Sequence, residues 1–454
     1  MTQCPPADVP AAEPASSGRI TRLLTADRLN RGELVVLVWF VTRLIIIAAW
    51  ALLAPSSKGD VSYYFRSIAQ MGLSGPAETL VEYPMPVVWL LLVPWYLGGH
   101  TLAGYVFVFV CWILILDAAF TWTLWRTGGR CRGVAALFWT VFVGLIGPTA
   151  YLRLDLIPAV LAGWALILVL RRRSGWAGAL IGLGAGVKLW PALLWPALRG
   201  DSHRHTLLAA TGTAATGGLL VLGSVAWAGW GRLVSPLVWQ AGRGLQIESA
   251  WASVPMLIRA VGRGDYAVTQ SRFQAVEIWG TGVSAFSFAA SVAAFAGYGV
   301  IVAVFVAWWV RGRGSLLEAC VLMVFVVVVL VVTDKTFSPQ YVLWLGGPIA
   351  AALVVRETPA DRSAAPDDAR LRRVVQLAVG IAALTVLEFP IGYVPLTRDV
   401  TGWLALLRLP VTLVLVARNA LVVWLLVVLI RWVWSFLRPM PRGRGLAPRP
   451  EDSR

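Results

Sequence analysis

Three groups of residues in this chain could act together chemically. They are a carboxylate at the mouth of an apolar bundle, a second carboxylate in a proline-framed turn, and a set of basic side chains in the loops around them. Asp60 stands just beyond the first long apolar run, in GDVSYYF, and EYPMP follows at 82–86. A carboxylate at an apolar boundary can take a proton from a sugar hydroxyl as that hydroxyl attacks an electrophile. An Asp that opens a helix is also a good N-cap, accepting from amides two or three residues on, and the two roles are compatible. Glu82 has two readings. It belongs to a helix-start turn fixed by Pro84 and Pro86, or, with Tyr83, it hydrogen-bonds an acceptor sugar.

Lys188 lies in GLGAGVKLWPALLWP, where an ionised Lys costs about 2.5–3.5 kcal/mol at mid-bilayer on insertion scales. A phosphate offsets this by direct pairing. An internal carboxylate, or snorkelling to the interface, would do the same. Arg153, Arg243 and Lys335 fall in turns opposite the main basic clusters, where Lys and Arg are disfavoured. Their concentration there calls for an anionic partner. Gly242 and Gly244 bracket Arg243, so the backbone can turn closely around a ligand, and Arg243 can instead orient on Glu248 of the same GRGLQIES segment. Gln340 completes the polar set. Trp239 and Trp251 read first as interface anchors and second as sugar platforms. Asp117 and Arg418 lie deep within apolar runs and are expected to pair inside the bundle.

The elements that position these groups are membrane helices. The chain has 454 residues, 58% hydrophobic and 14% charged, with 24 Trp, and several runs reach the roughly 20 residues that span a bilayer. The expected fold class is all-α, a polytopic integral membrane helical bundle with about 10–12 transmembrane segments. The formal charge of +16 does not indicate nucleic acid, because the basic residues alternate with apolar runs and form no separate stripe. Four Cys without a CxxC pair and three scattered His give neither a disulfide framework nor a metal cluster. The first thirty residues, rich in Pro and Ala, read as a disordered tail. They do not read as a signal peptide, since the run from Leu34 is long and lacks a small-residue cleavage pattern at its end.

With the basic clusters placed in the cytoplasm, residues 133–170, 207–310 and 315–356 form hairpins. Their outer turns are GPTAYLRLD, a long loop at about 230–279, and TDKTFSP. The run 86–97 is too short to cross, at about 18 Å. The run 176–198 has Arg clusters at both ends and is expected to break into two half-helices near Lys188 and Pro191, backbone tolerated only inside protein or along a cavity. The alternative is twelve ordinary spans. Gly178, Gly182 and Gly186 leave room for a neighbouring helix. In 60–73, Val61, Tyr64, Phe65 and Ile68 share one helical face, which predicts an interfacial helix along the outer surface.

Taken in order, the first-loop Asp, the acidic-Tyr-Pro-x-Pro segment, the Lys-x-x-Pro of a Gly-rich segment, the outer-loop GRGLQIES and the late KTFSPQYVLWL resemble glycosyltransferase family 87 over about residues 33–356. The resemblance implies a GT-C fold and transfer of a sugar, often mannose, from a polyprenyl-phosphate donor to a glycolipid or glycan acceptor at the extracytoplasmic face. It implies Asp60 as catalytic base and carries the family's Lys-Pro segment onto Lys188 and Pro191. Its Ser-Pro-Gln-Tyr segment falls on Ser338 to Tyr341. Lys188, Arg243, Arg153 and Lys335 then bind the donor phosphate, and Glu82, Tyr83, Glu248 and Gln340 the acceptor. The expected partners are these two substrates and membrane lipid. No metal ion or other cofactor is expected, because a lipid phosphate is already a good leaving group that cationic side chains can neutralise. Two departures bear on acceptor or sugar choice: EYPMP replaces the commoner Tyr-Pro-Pro, and TAYLRLD stands where many relatives carry Gly-Gln-x-Asn.

The expected organisation is a disordered cytoplasmic tail at 1–32, a GT-C-like catalytic module at 33–356, a cytoplasmic linker at 357–373, C-terminal helices at 374–437 and a basic disordered tail at 438–454. Ala, Arg, Gly and Trp richness points to a GC-rich bacterial genome, hence a bacterial plasma membrane. Two other classes compete. A transporter or flippase of an anionic lipid or small anion would need matching charges toward the cytoplasmic half and an internal repeat. An assembly scaffold would be indifferent to loss of the Asp60 charge.

Overall fold

The computed structural model describes residues 31–53, 59–129, 132–200, 202–312, 314–356, 365–399 and 401–438. Both expected tails lie almost wholly outside these, as does the first part of the expected linker. The described chain is almost entirely helical. Eight helices are long and apolar enough to cross a membrane, and three shorter apolar helices accompany them.

Helix α1 (Gly32–Leu53) leads to α2 (Gly59–Ser74). The apolar face of α2 forms as its periodicity predicts, with Val61, Tyr64 and Ile68 buried. That face is turned onto protein, against α3 (Met85–Leu97) and α4 (Leu102–Thr127). The Tyr64 ring lies 5.8 Å from Tyr83 and 6.0 Å from Phe109, and Phe65 lies 5.3 Å from Trp95. Aromatic contacts of this kind add to area burial, so α2 is pinned to the bundle at the residues that follow Asp60.

Helices α5 (Arg132–Ile146) and α6 (Leu156–Leu170) form the hairpin expected from the sequence, joined by a 3-10 turn at Gly147–Ala150 and the segment carrying Arg153 and Asp155. Helix α7 (Ser174–Val187) stops where the break was expected. Lys188 is extended (φ −144°, ψ 142°), and a 3-10 coil runs from Trp190 to Leu198. Pro191 and Pro196 cannot donate to a helical ladder, which explains why the regular helix does not resume. Helix α8 (His203–Ala241) packs along α7 in the same direction, with Ala209 against Gly178 and Thr216 against Gly182, and bends at Gly229 (φ 78°, ψ 173°), a conformation open to glycine and strained for other residues.

The long loop after α8 holds α9 (Ser253–Ala260) and a hairpin of β1 (Ala267–Gln270) and β2 (Val276–Trp279), paired antiparallel with Val268 opposite Ile278. This small sheet was not expected from the sequence, because its strands are four residues long and too short for alternation to stand out. Helices α10 (Val283–Val310), α11 (Leu316–Thr333) and α12 (Leu343–Arg356) follow. The C-terminal part comprises α13 (Ala365–Val386), α14 (Tyr393–Thr397), α15 (Trp403–Leu406) and α16 (Arg408–Leu437). Residues 365–373, read as linker, are helical instead. Asp367 and Asp368 favour a first turn, and they pair with Arg370 and Arg356.

The core centres on α6, α11 and α12, whose side chains are buried nearly throughout. By contrast, α1, α8 and α10 leave rows such as Leu37, Leu44, Leu219, Phe288 and Phe295 exposed, as expected of surfaces facing lipid tails. The deep charges each find a partner of opposite charge within the bundle. Asp117 accepts from Arg43, Trp39, Trp139 and Tyr151 at 2.7–3.0 Å. Arg418 pairs with Glu388 at 2.8 Å. Asp117 and Arg418 therefore take separate partners.

The close approach of α7 and α8 tests the glycine argument. A Cβ on Gly178 would lie 1.9 Å from the Ala209 carbonyl oxygen of α8, and backbone cannot yield as a side chain can. Gly178→Ala gains about 1 kcal/mol of helix propensity, but overpacking costs about 1–3 kcal/mol, and here it falls at the severe end. Net destabilisation of about 2 kcal/mol is expected, read as a lowered unfolding temperature in detergent. An unchanged or raised temperature would refute the packing argument.

Candidate active site

The two carboxylates of the 60 and 150 regions, with their basic partners, form one cluster. Helix α2 begins at Gly59, so Asp60 stands in its first turn, where the helix dipole favours a carboxylate. Its charge goes to an ion pair with Arg153. The Asp60 side chain is 34% exposed and that of Arg153 is 14% exposed. Burial lowers the Arg153 pKa to about 10, partly opposed by the Asp155 charge, so it remains cationic at neutral pH. Two residues on, Asp155 is buried and pairs with Lys188 at 3.0 Å. Of the two readings of Lys188, the internal carboxylate is thus the one occupied in this structure.

An aromatic wall surrounds that pair. Trp344 donates to Asp155 Oδ1 at 2.8 Å and stacks between Tyr341 (4.1 Å) and Trp190 (4.9 Å). The Lys188 Nζ lies 4.9 Å from the Tyr341 ring centre and 5.7 Å from that of Tyr83, within cation–π range. The break after Val187 turns Lys188 out of its helix toward these rings. Tyr83 and Tyr64 share a hydroxyl hydrogen bond of 2.9 Å, which ties the Glu82 turn to α2 close to Asp60.

The turn carrying Glu82 is held from behind by Arg232 of α8, which donates to the carbonyls of Thr79, Leu80 and Tyr83 at 2.8–3.0 Å. Ser235 adds a bond to the Val81 carbonyl at 2.8 Å. Both Glu82 oxygens are shielded and lack a hydrogen bond of good geometry. Burial raises the Glu82 pKa, and the neighbouring Tyr63 hydroxyl and the Arg232 and Arg243 charges only partly oppose it. A raised folded-state pKa means the charged form is disfavoured by folding. Stability from this group is full below the ordinary Glu range and is lost as pH rises through the folded value. Glu82→Gln is accordingly expected to stabilise the protein by about 1 kcal/mol at pH above the ordinary Glu range and to flatten that part of the stability–pH curve. Melting temperatures of both proteins between pH 4 and 9 measure this, and parallel curves would count against a strained carboxylate.

A second group of cations sits beside this turn. Arg243 hydrogen-bonds the neutral amides of Gln240 and Gln246 at 3.3 and 3.2 Å, and its Nε has no partner. Among the described residues it forms no ion pair. Its expected orientation on Glu248 is not found. Glu248 points the other way, 1% exposed, and accepts from the Tyr393 hydroxyl at 2.9 Å. The reason is local: the Gln246 side chain donates to Ser338 at 2.8 Å and its amide to the Lys335 carbonyl at 3.1 Å. This fixes the loop so that Glu248 faces the C-terminal helices. Lys335 donates to the Ala241 carbonyl at 3.1 Å. Gln340 lies in the 3-10 turn Pro339–Val342, partly buried.

The structure therefore groups Asp60, Arg153, Lys188, Glu82 and Tyr83, sets Arg243 and Lys335 alongside, and turns Glu248 inward. Asp155, a costly charge that the sequence singled out without giving it a role, joins the cluster, and Trp344, Trp190, Gln246 and Arg232 complete it without having been selected from the sequence. Asp155 and the Trp344 segment were visible as motif residues, but nothing in one dimension pairs either with Lys188. A small, mostly apolar groove opens next to the Arg153 segment, lined by Ile46, Trp50, Val110, Leu114, Tyr151 and Leu152. The described residues contain no group of three or more His, Cys, Asp or Glu that could hold a metal ion.

The family model for glycosyltransferase family 87 matches residues 82–339. The match takes in Glu82, Arg153, Asp155, Lys188, Arg243 and Lys335, stops short of α13–α16, and begins after Asp60. No curated protein and no solved structure matches the chain. The match favours an enzyme over the transporter and scaffold readings. A family model covering more than half of a polytopic helical bundle, over the segments that build its charged cluster, shows that the chain belongs to glycosyltransferase family 87 and is a multi-pass membrane glycosyltransferase.

Proposed function

We propose that this glycosyltransferase moves a hexose, with mannose the first sugar to test, from a polyprenyl-phosphate donor to a glycolipid or glycan acceptor on the extracytoplasmic side of a bacterial plasma membrane. The observation that carries the reading is the Asp60–Arg153 ion pair, placed next to the Asp155–Lys188 pair and near Arg243, which forms no ion pair among the described residues.

Asp60 is the general base. The acceptor hydroxyl oxygen attacks the anomeric carbon, its proton passes to the Asp60 carboxylate, and the bond from the anomeric carbon to the phosphate oxygen breaks with its electron pair leaving on the phosphate. One displacement inverts the anomeric centre. The leaving lipid phosphate gains one negative charge as Asp60 loses its own. Arg153 then has less reason to stay with Asp60 and more reason to turn to the phosphate. Arg243, Lys335 and Lys188 add to that field, and cations preorganised where charge develops are worth most in a water-poor site. Glu82, Tyr83 and Gln340 bind acceptor hydroxyls. The apolar groove beside Tyr151 and Leu152 is a candidate seat for part of the lipid chain.

The test is purified protein with radiolabelled polyprenyl-phosphate-mannose and a glycolipid acceptor. Transfer by the wild type and its loss in Asp60→Asn are expected. No transfer from any polyprenyl-linked sugar would overturn the reading. In the same assay Glu82→Gln should raise the acceptor KM by about tenfold, as loss of one charged hydrogen bond implies, with the donor KM unchanged.

A further inference from the structure

The outer loop 245–249 is gripped from two sides. On one side, the Gln246 amide donates to the Lys335 carbonyl at 3.1 Å, the Ile247 amide to the Val276 carbonyl at 3.1 Å, and the Gln246 side chain to Ser338 at 2.8 Å. On the other side stand helices that lie beyond residue 339, where the family match ends. The Tyr393 hydroxyl of α14 donates to Glu248 Oε1 at 2.9 Å. Arg418 of α16 donates from one nitrogen to the Glu248 carbonyl at 3.0 Å and to Glu388 at 2.9 Å, with its guanidinium centre 4.1 Å from the Phe337 ring centre. Asn419 donates to the Ser249 carbonyl at 3.1 Å and to Ser253 at 2.8 Å.

We propose that Tyr393 and Arg418, from the C-terminal helices, are positioning residues of the transfer site, holding Glu248 and the 245–249 backbone so that Arg243 and Arg153 face the donor phosphate. The inference rests on the proposed function for the role of the two arginines.

The chemistry supports a positioning role over direct contact with substrate. Glu248 is 1% exposed and its Oε2 has no partner, an arrangement that costs stability and keeps the carboxylate out of reach of substrate. Burial raises its pKa, against the Tyr393 bond and the Arg418 charge. Arg153 lies within electrostatic reach of both Glu248 and Tyr393. It thus feels both the Asp60 carboxylate that it pairs with and a buried acid that bonds to Tyr393. Arg243 lies at the start of the same loop, so its aim depends on where residues 245–249 are held. The C-terminal helices thereby reach the site through two arginines that they do not themselves supply.

Tyr393→Phe removes one hydroxyl and leaves the ring. The full-length protein in detergent should keep its melting temperature within a few degrees. Amide exchange by mass spectrometry should quicken about tenfold at 246–249 and stay unchanged in 316–333. In the transfer assay, donor kcat/KM should fall about tenfold with acceptor KM within twofold. Asn419→Ala, which touches the same loop without touching Glu248, should also speed exchange at 246–249, and serves if Tyr393→Phe melts early. Unchanged exchange at 246–249 in both variants would overturn the proposal. So would quickened exchange with unchanged donor kinetics. Should Asp60→Asn transfer sugar as fast as wild type, the proposed base is wrong, yet the exchange and donor kinetics of Tyr393→Phe still decide the positioning role.

Discussion

Asp60→Asn is expected to lower kcat by about three orders of magnitude, within the range that general acid–base catalysis contributes, while the acceptor KM changes by less than about threefold. The amide keeps the shape of the side chain and an oxygen that can accept from Arg153, so the substitution removes the proton acceptor and leaves α2 in place. The anchoring of α2 by Tyr64, Phe65 and Ile68 does not involve Asp60. The melting temperature should therefore fall little, because the Asp60–Arg153 pair is partly exposed and such pairs contribute about 0–1 kcal/mol. Single-turnover transfer of labelled sugar, with the unfolding curve as control, measures both quantities. Residual kcat above one-tenth of wild type would remove Asp60 as the base and direct attention to Glu82, the nearby carboxylate without a good hydrogen bond.

Lys188→Met should have the largest effect on stability. Asp155 is 2% exposed, and removing its ammonium partner leaves a buried carboxylate held by the Trp344 indole. Breaking one side of a buried pair costs about 3–5 kcal/mol. The double variant Asp155→Asn with Lys188→Met removes both charges and should recover most of that loss. This separates the two roles of Lys188. Should its work be structural, the double variant regains both fold and transfer. Should it also bind the donor phosphate, the double variant folds normally but its donor KM rises about tenfold or more. A single variant as stable as wild type would contradict the pairing itself.

Much of the bundle was legible in one dimension, because membrane helices are defined by run length and by punctuation. The hairpins around GPTAYLRLD and TDKTFSP, the short helix at Met85–Leu97 and the break at Lys188 follow from apolar runs and prolines. Other features depended on neighbours. Periodicity gave α2 the right apolar face but not its partner. Apolar residues suit lipid and protein alike, and only packing turned Tyr64 onto Tyr83 and Phe109. The helical start at Ala365 was hidden by its polar composition, and ion pairs from Arg356 and Arg370 support it.

The site divides in the same manner. Residue type and cost of burial singled out Asp60, Glu82, Arg153, Lys188, Arg243 and Lys335, since each charge in so apolar a chain demands a partner. Which partner it takes is not written in the sequence. Asp155, just before α6, is claimed by Lys188 at the break after α7, Arg153 by Asp60, and Glu248 by Tyr393, which is 145 positions away. The sequence by itself determined that this is a helical membrane protein and which ionisable groups needed explaining, because both follow from local transfer energies. Tertiary structure alone decided how those charges are shared. Electrostatic energy depends on the separation of groups in space, and the chain's linear order does not contain that separation.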